Sequence, residues 1–434
     1  MSDFDVTIEG LFARQPNRMI PDLARITTLT ELLGRPDQAF PAIQVTGTNG
    51  KTTITHMISA LLSALGVAPG SYTSPHLQDV RERIRVAGEL ITVEELADGL
   101  IYLDPFVTET DERHPESLTF FEILTALSFV HFADKPVDVG VYEVGMGGTW
   151  DATNLVRGEV AVINSISLDH LELGSTVGQI AGEKAGVIKP GATVISAVQD
   201  ADAAAAIDRA AADQGASVVL AGRDFGIESR GLAVGGQYLT LRGVTGEIDE
   251  IFLPLYGAHQ GANAAVALAA VEGFLGFSGG LDPDIIREGF AAVRSPGRLE
   301  VVPRGGYAPI VLDGAHNPAG AHSLAVSLQA EFAYRHRVFV LGVLDDKDVE
   351  GVVEALVPVA DHVVVTEPPS SRAAASERVE QALKSAGVSV EIAPDVASAI
   401  DLASGVAAAD DGVIVTGSLY MVGAARDHLG LAPA

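Results

Sequence analysis

The sequence predicts an α/β protein with two domains, each containing a sheet covered by helices. Short, continuously apolar segments alternate with helical segments along much of the chain, and this alternation is typical of parallel sheets buried on both faces. The chain has 434 residues, of which 47% are hydrophobic, enough for two or three domains. A break at RSPGRLE (294–300), where Pro296 and Gly297 interrupt helical sequence, predicts domains at 1–296 and 297–434.

The first predicted domain contains a mostly parallel sheet. Its candidate strands are AIQVTG (42–47), VGVYEVG (139–145), VAVINSI (160–166), TVISAV (193–198) and SVVLAG (217–222). The segment KTTITHMISALLSALG (51–66) has apolar residues at helical spacing, with Gly66 as the stop. Residues 225–256 are glycine-rich and alternating, and they predict a small antiparallel patch.

The second predicted domain is a Rossmann-like α/β unit. Five apolar segments are each followed by a helical segment: IVLDG, VFVLGVLD, HVVVTEP, SVEIAP and GVIVTG. A strand followed by a helix, repeated along the chain, favours another mostly parallel sheet.

Composition excludes several classes of protein. With 28 basic and 57 acidic residues, the formal charge is −29, so a general basic surface for nucleic acid is not expected. The absence of cysteine excludes disulfides, thiolate zinc sites and a cysteine nucleophile. The N-terminal MSDFDVTIEG is not a signal peptide, and no apolar stretch could span a bilayer. We expect a soluble cytoplasmic enzyme that binds neither nucleic acid nor membranes.

The loop VTGTNGKTT (45–53) resembles a phosphate-binding loop but lacks one of its glycines. The pattern G-x-x-x-x-G-K-[ST] would place the first glycine at Val45, whereas the glycine stands at Gly47. A glycine turn that enters a helix presents backbone N–H groups to an anion. We therefore predict an ATP-binding loop in a P-loop ATPase-like first domain, rather than an ordinary strand–helix turn. Its residues are Gly47, Thr48, Asn49, Gly50, Lys51, Thr52 and Thr53.

Two of these positions and one later carboxylate have predicted chemical roles. Lys51 would neutralise the β- and γ-phosphates, and the Thr52 hydroxyl would bind Mg²⁺. Glu143 ends an apolar strand just before a glycine turn, where it could hold Mg²⁺ or merely cap the strand in solvent. The following GMGGTWD lacks the G-x-G-x-x-G spacing of a dinucleotide site.

The loop GTNGKT resembles that of the Mur ligase superfamily, and the chain as a whole resembles its folylpolyglutamate synthase/dihydrofolate synthase branch. Further stretches match in order: TSPHL (73–77), RERIRVAGE (81–89), LTFFEILTALSF (118–129), EVGMGGTWDATN (143–154), SLDHLELG (167–174), GEKAGVIKPG (182–191), GAHQGANAAVALAA (257–270), PGRLE (296–300), DGAHNPAG (313–320) and GSLYMVG (417–423). About 45 residues precede the loop, too few for the N-terminal UDP-sugar domain of the cell-wall enzymes.

The resemblance implies an ATP-dependent ligase that adds L-glutamate to reduced folates, and also to 7,8-dihydropteroate, through an acyl phosphate. It also implies a monomer whose partners are these small molecules. One alternative is a Mur- or cyanophycin-type ligase with another acid acceptor. A nucleotide-dependent switch or transport ATPase, and a non-enzymatic binding module, are alternatives outside the class. A switch would not need two α/β domains.

The resemblance also implies two Mg²⁺ sites, which Mn²⁺ could occupy because one ligand is a histidine. The implied ligands are Thr52, Ser74, Glu143, His170 and a carbamylated Lys184. A carbamate would replace a repelling ammonium by two anionic oxygens. The alternative for Lys184 is a surface lysine beside Glu183.

Contacts from both domains to ATP are implied in the same way. Asn263 would contact the adenine side from the first domain, and Arg298 and Asp313 would contact ATP from the second. His316 would lie near the interdomain cleft, where with Lys51 and Lys184 it completes the predicted catalytic set. As alternatives, Arg298 is a linker charge and His316 a turn histidine.

A pterin site is implied around two further motifs. Its predicted residues are Asp22, Thr119, Phe120, Phe121, Trp150, Asp151 and Ala152. Phe121 could stack on a flat ring, and Asp151 could accept hydrogen bonds from ring N–H groups. The alternative for Phe120 and Phe121 is packing in a helix core.

Overall fold

The computed structural model of the chain describes residues 3–14, 20–135, 137–168 and 171–433. The strands within these residues are β1 (Pro41–Thr46), β2 (Pro69–Tyr72), β3 (Ile84–Val86), β4 (Glu89–Leu90), β5 (Val139–Glu143), β6 (Arg157–Ile163), β7 (Thr193–Ser196), β8 (Ser217–Leu220), β9 (Gly226–Ala233), β10 (Gly236–Arg242), β11 (Glu247–Leu253), β12 (Glu300–Val302), β13 (Ile310–Leu312), β14 (Arg337–Leu341), β15 (His362–Val365), β16 (Val390–Ile392) and β17 (Gly412–Thr416).

The helices are α1 (Asp3–Phe12), α2 (Ala24–Leu32), α3 (Lys51–Ala64), α4 (Val93–Arg113), α5 (Phe120–Asp134), α6 (Val177–Lys184), α7 (Ala201–Asp213), α8 (Ala258–Phe274), α9 (Pro283–Ala291), α10 (Pro318–Glu331), α11 (Val349–Leu356), α12 (Ser376–Ser385), α13 (Val396–Val406) and α14 (Leu419–His428). Within the described residues, no helix is long and apolar enough to cross a membrane.

The first sheet has eight strands in the order β4-β3-β2-β5-β1-β6-β7-β8. The six neighbouring strands β2, β5, β1, β6, β7 and β8 run parallel to one another. Strands β3 and β4 continue the sheet beyond β2 as an antiparallel edge. The prediction of a mostly parallel sheet is therefore confirmed. Strands β9, β10 and β11 form a separate antiparallel sheet, as the pattern of residues 225–256 predicts.

The sheet after residue 297 has six strands in the order β12-β13-β17-β14-β15-β16. All neighbours are parallel except the β12–β13 pair. The sequence pattern missed β12, which has only three half-buried residues, Glu300–Val302. A strand this short carries too little alternation to be detected.

A buried core between the first sheet and the small antiparallel sheet fixes α3. This helix packs beside α8, and its Ile54, Met57, Ile58 and Leu61 are fully buried in one cluster with residues of β1, β5 and β11. Because α3 is held in this way, its N-terminus at Lys51 has a fixed position above the sheet.

The strand order brings the predicted site residues to one edge of the first sheet. Strand β1 lies between β5 and β6, with Val45 opposite Glu143 and Thr46 opposite Ile163. Because these strands are parallel, the loop after β1 and the ends of β5 and β6 meet where ligands bind in such sheets. The predicted strands overran β1, β5 and β6 by one to three residues, because their last residues belong to these loops.

Candidate active site

The loop between β1 and α3 has the shape of an anion-binding turn. Gly47 and Gly50 have φ angles of +145° and +80°, which favour glycine. A Cβ on Gly47 would lie 2.8 Å from Cβ of Asn164. The Nζ of Lys51 donates to the carbonyl oxygens of Gly47 (3.2 Å) and Thr48 (3.3 Å). The lysine therefore folds back over the loop, whose first glycine stands at 47 rather than 45.

Glu143 is buried beside this loop, not exposed as a strand cap. Its Oε1 accepts a hydrogen bond from the Thr52 hydroxyl at 2.9 Å, and its Oε2 accepts one from the backbone N–H of Ser74 at 3.0 Å. Burial raises the pKa of Glu143, against the opposing charge of Lys51. The two hydroxyl residues and the carboxylate predicted to bind a metal are thus brought together.

Asn164, which the sequence analysis missed, connects the loop to α8. Its Nδ2 donates to the backbone oxygen of Asn49 (2.9 Å) and to Oδ1 of Asn263 (3.1 Å), and Asn263 donates to Gln260. All three side chains of this chain of amides are buried. The signal in the sequence was a polar residue directly after the apolar strand β6, at the same edge as Glu143.

The opposite wall of the site comes from the β13–α10 region. The carboxylate of Asp313 accepts hydrogen bonds from the backbone N–H groups of Leu299 and Ala315, both at 2.9 Å. Burial raises the pKa of Asp313, and the nearby charge of Arg298 partly offsets this. The Nδ1 of His316 lies 2.7 Å from the carbonyl oxygen of Gly314.

The two walls touch at the loop itself. The Nδ2 of Asn317, the N-cap residue of α10, donates to Oδ1 of Asn49 at 3.2 Å. The hydroxyls of Thr53 and Ser295 are 2.9 Å apart. The segment between α9 and β12, through Ser295, and the start of α10, through Asn317, therefore contact the phosphate-binding loop directly.

A cavity of about 480 Å³ lies between these walls. Predicted site residues that line it are Thr48, Asn49, Gly50, Lys51, Thr52, Thr53, Ser74, Glu143, Asn263, Arg298, Asp313 and His316. Lining residues that the sequence analysis missed include His259, Lys347, Arg372 and Tyr420. Burial and the charge of Arg298 lower the pKa of His259 to about 4, so this histidine is uncharged at neutral pH.

Lys184 is the last residue of α6 and is buried, so its interpretation as a surface lysine is wrong. Its Nζ donates to the carbonyl oxygen of Gly47 at 2.9 Å. Lys51 donates to the same oxygen, so two lysine Nζ groups converge on Gly47. The structure thus places Lys184 directly below the phosphate-binding loop.

The predicted pterin residues lie beside the cavity rather than in its lining. Phe120 is buried; it stacks on Phe12 with ring centroids 5.1 Å apart, and Cζ of Arg83 lies 5.0 Å from its ring centroid. Phe121 is only half-buried and lies against Gly145, which does line the cavity.

The remaining pterin candidates have local structural contacts. Asp151 is buried, and its carboxylate accepts from the N–H groups of Met146 and Thr153 and from the Thr153 hydroxyl. Thr119 is the N-cap of α5, and exposed Asp22 accepts from the N–H of Ala24. Trp150 is half-buried, and Ala152 is buried.

His170 lies outside the described residues. Within the residues that the structure covers, no three His, Asp or Glu side chains group as metal ligands. Thr52, Ser74 and Glu143 nevertheless line one cavity, and the buried carboxylate of Glu143 contacts both of the other residues. Hard oxygen donors of this kind suit Mg²⁺.

The P-loop variant, the buried carboxylate and the second α/β unit together define a nucleotide-dependent enzyme with a two-sided cleft. The family model of the Mur ligase middle domain matches residues 45–271, and that of the Mur ligase glutamate ligase domain matches residues 297–419.

Sequence comparison with known proteins shows to which branch of the Mur ligases the chain belongs. The chain is 42% identical to the dihydrofolate synthase/folylpolyglutamate synthase of Mycobacterium tuberculosis, over 96% of this chain and 91% of that protein. It is 33% identical to the folylpolyglutamate synthase of Lacticaseibacillus casei, over 94% of each chain. The chain therefore belongs to the Mur ligase family, in its folylpolyglutamate synthase/dihydrofolate synthase branch, and is an ATP-dependent amide ligase.

Solved structures agree with this assignment. The M. tuberculosis folylpolyglutamate synthase complexed with ADP superposes with a TM-score of 0.95 at 41% identity, covering 100% of this chain and 99% of that one. A structure described as an FPGS–AMPPCP–folate complex has a TM-score of 0.85 at 32% identity and covers 98% of this chain and 99% of that one.

Proposed function

We propose that this ligase joins L-glutamate to reduced folates and to 7,8-dihydropteroate at the expense of ATP. The observation that carries the proposal is the junction of Lys51, Thr52 and Glu143 with Arg298 and Asp313 across one cavity. The relatives' names supply the substrates: several are called dihydrofolate synthase/folylpolyglutamate synthase.

The first step is activation of the folate or pteroate carboxylate. Transfer of the γ-phosphoryl group of ATP to a carboxylate oxygen gives an acyl phosphate and ADP. Lys51 and the N-terminus of α3 stabilise the negative charge on the transferred group. Arg298 adds a second cation from the opposite wall, and Asn263 binds the adenine side.

The second step is amide formation. The amine of L-glutamate attacks the acyl carbon, phosphate leaves with the electrons of the broken C–O bond, and the proton lost by the nitrogen goes to the departing phosphate. His316 lies on the cavity wall, where we assign it contact with the reacting groups. Contact of both walls with the nucleotide closes the cleft and keeps water from the acyl phosphate.

Magnesium fits the oxygen donors of the site. Thr52, Ser74 and Glu143 would hold one ion, and when bound it would neutralise charge on the phosphates as a Lewis acid. We assign His170 and a carbamylated Lys184 to a second ion. The convergence of two lysine Nζ groups on the Gly47 oxygen supports this, because a carbamate would turn repulsion between two ammonium groups into attraction.

We assign the pterin ring to the open face of Phe121, next to its contact with Gly145 at the cavity wall. The half-buried ring of Phe121 reaches Gly145 at the cavity wall, whereas Phe120 is occupied by Phe12 and Arg83. The carboxylate of Asp151 would then act on the pterin only by exchanging one of its internal hydrogen bonds. The back of this site would be formed by Thr119, Trp150, Ala152 and Asp22.

We keep the domain boundary proposed from the sequence, between 296 and 297. It lies two residues from Arg298, which lines the cavity.

The test is substrate-dependent release of ADP. Purified protein is incubated with ATP, L-glutamate and either dihydropteroate or tetrahydrofolate, and ADP and the glutamylated product are measured. We expect release with each acceptor and none when glutamate is omitted. The Lys51→Ala variant is the control for contaminating ATPases. Release that requires a different carboxylic acid, and neither pterin compound, would show that the acceptor belongs to another Mur-type reaction.

A further inference from the structure

A second cavity, separate from the nucleotide cleft, lies behind helix α3. It has a volume of about 440 Å³ and is open to solvent on one side. It is lined by residues of α3, β2, β3 and the turn after β3, α9, and the segment 292–296 that follows α9. No residue lines both this cavity and the nucleotide cavity. We call it the rear cavity.

Two arginines of the rear cavity have no carboxylate partner within the described residues. Arg85 donates from Nη1 to the backbone oxygen of Gly88 at 3.1 Å, and its buried Nε has no hydrogen-bond partner. Arg294 donates only to backbone oxygens, those of Ala291 and Val293. The chain has 57 acidic residues against 28 basic ones, yet neither arginine forms an ion pair with a described residue; Glu82 and Glu89 act on Arg85 only from a distance. The Arg85 guanidinium is partly buried, and such a group without a counter-ion is unfavourable unless an anion joins it. Arg294 is exposed and adds a second positive charge at the edge of the cavity.

The other polar groups of the cavity suit an oxyanion. The hydroxyl residues Ser63 and Ser71 line it, and hydroxyls can donate to oxygen atoms. Ser59 also lines it, but its hydroxyl already donates to the backbone oxygen of Thr55 at 2.8 Å. Glu288 is the one acidic residue of the lining, and it is exposed. The Nδ1 of His56 lies 3.1 Å from the backbone oxygen of Arg294. Arginines bind carboxylates and phosphates through paired, charge-assisted hydrogen bonds.

We propose that the rear cavity binds a small oxyanion, a carboxylate or phosphate monoester, between Arg85 and Arg294. Such a ligand would contact the segment 294–296, which is tied to α3 by the His56–Arg294 and Thr53–Ser295 contacts. The same segment leads directly to Arg298 at the nucleotide cavity. The ligand therefore couples to nucleotide binding through the linker.

Binding is tested by isothermal titration of the ADP-saturated protein with inorganic phosphate and, separately, with succinate. Binding of either probe that Arg85→Ala weakens supports the site, and the probe that binds in this way distinguishes a phosphate from a carboxylate ligand. Loss of a charge-assisted hydrogen bond costs about 1.5–3 kcal/mol, so Arg85→Ala should weaken binding roughly tenfold or more. Arg113→Ala is the matched control, because Arg113 pairs with Glu109 on the exposed face of α4.

Two variants of one residue at the rim of the cavity test the site even if Arg85→Ala does not fold. Ser63 is exposed at the rim, so Ser63→Glu and Ser63→Gln should both fold and differ only in charge. The Glu variant should weaken binding and the Gln variant should not. No binding of either probe, or equal affinities for Ser63→Glu and Ser63→Gln, would overturn the site. An ADP affinity unchanged by a saturating probe would overturn the coupling.

Discussion

The Lys184→Ala variant tests the proposed carbamate most directly. Lys184 is buried below the phosphate-binding loop, and its Nζ contacts the Gly47 oxygen. Removing it leaves Lys51, Thr52 and Glu143 in place to bind ATP and one metal ion. Nucleotide affinity should therefore survive, whereas amide formation should collapse.

The expected magnitudes separate a structural role from a chemical one. The Gly47 oxygen keeps its hydrogen bond from Lys51, so loss of the Lys184 bond should lower the free energy of unfolding by only about 1 kcal/mol. Loss of two anionic oxygens from a site where negative charge develops should lower turnover on the order of 10²-fold or more. A merely structural lysine would produce the first effect without the second.

Chemical rescue provides the decisive assay. Acetate or propionate can enter the space left by Lys184→Ala and supply the missing oxygens, so ADP and product formation should partly recover. Chloride at equal ionic strength should give no recovery. Lys184→Met is the matched control, because its side chain fills the same space and should block rescue. An active Lys184→Ala enzyme in the absence of added carboxylate would refute the carbamate role.

Three other variants test the nucleotide side of the site. Lys51→Ala should lower turnover on the order of 10²-fold or more with the fold intact by circular dichroism, and near-normal turnover would exclude the phosphate role. Arg298→Ala should weaken ADP binding more than folate binding in equilibrium titrations, and the reverse order would contradict its assignment to the nucleotide. Glu143→Gln should be inactive, and it should remove the fall in stability with pH that Glu143 causes. Burial raises the pKa of Glu143 in the folded protein above its ordinary value. The free energy of unfolding therefore falls as the pH rises from the pKa of Glu143 in the unfolded chain towards its pKa in the folded protein. Urea unfolding of the wild type and Glu143→Gln between pH 4 and 8 should show this slope in the wild type alone, and parallel curves would contradict it.

Local sequence was sufficient to predict the central strands of both sheets and the loop between β1 and α3, but not β2, β3, β4 or β12. Strand β1, the glycine turn and α3 follow from a short apolar run, two glycines and a helical pattern, all within residues 41–64. Each of these signals depends on neighbours along the chain, which is why it could be seen without a structure. The roles of Lys184 and Asn263 came from resemblance to a family, since neither residue lies in a local pattern that indicates its chemistry.

Tertiary structure decided which of these residues share one environment. From the sequence, Glu143 could equally be an exposed strand cap, and Lys184 could be a surface lysine. The order β5-β1-β6 buries Glu143 beside Thr52, and the position of α6 buries Lys184 beside Gly47. Asn164, His259 and the rear cavity depend on contacts between segments far apart in sequence. The sequence alone therefore determined most of the elements, and it predicted a phosphate ligand for the first loop. Burial, charge partners and cavity walls are properties of long-range packing, and only the folded chain decided them.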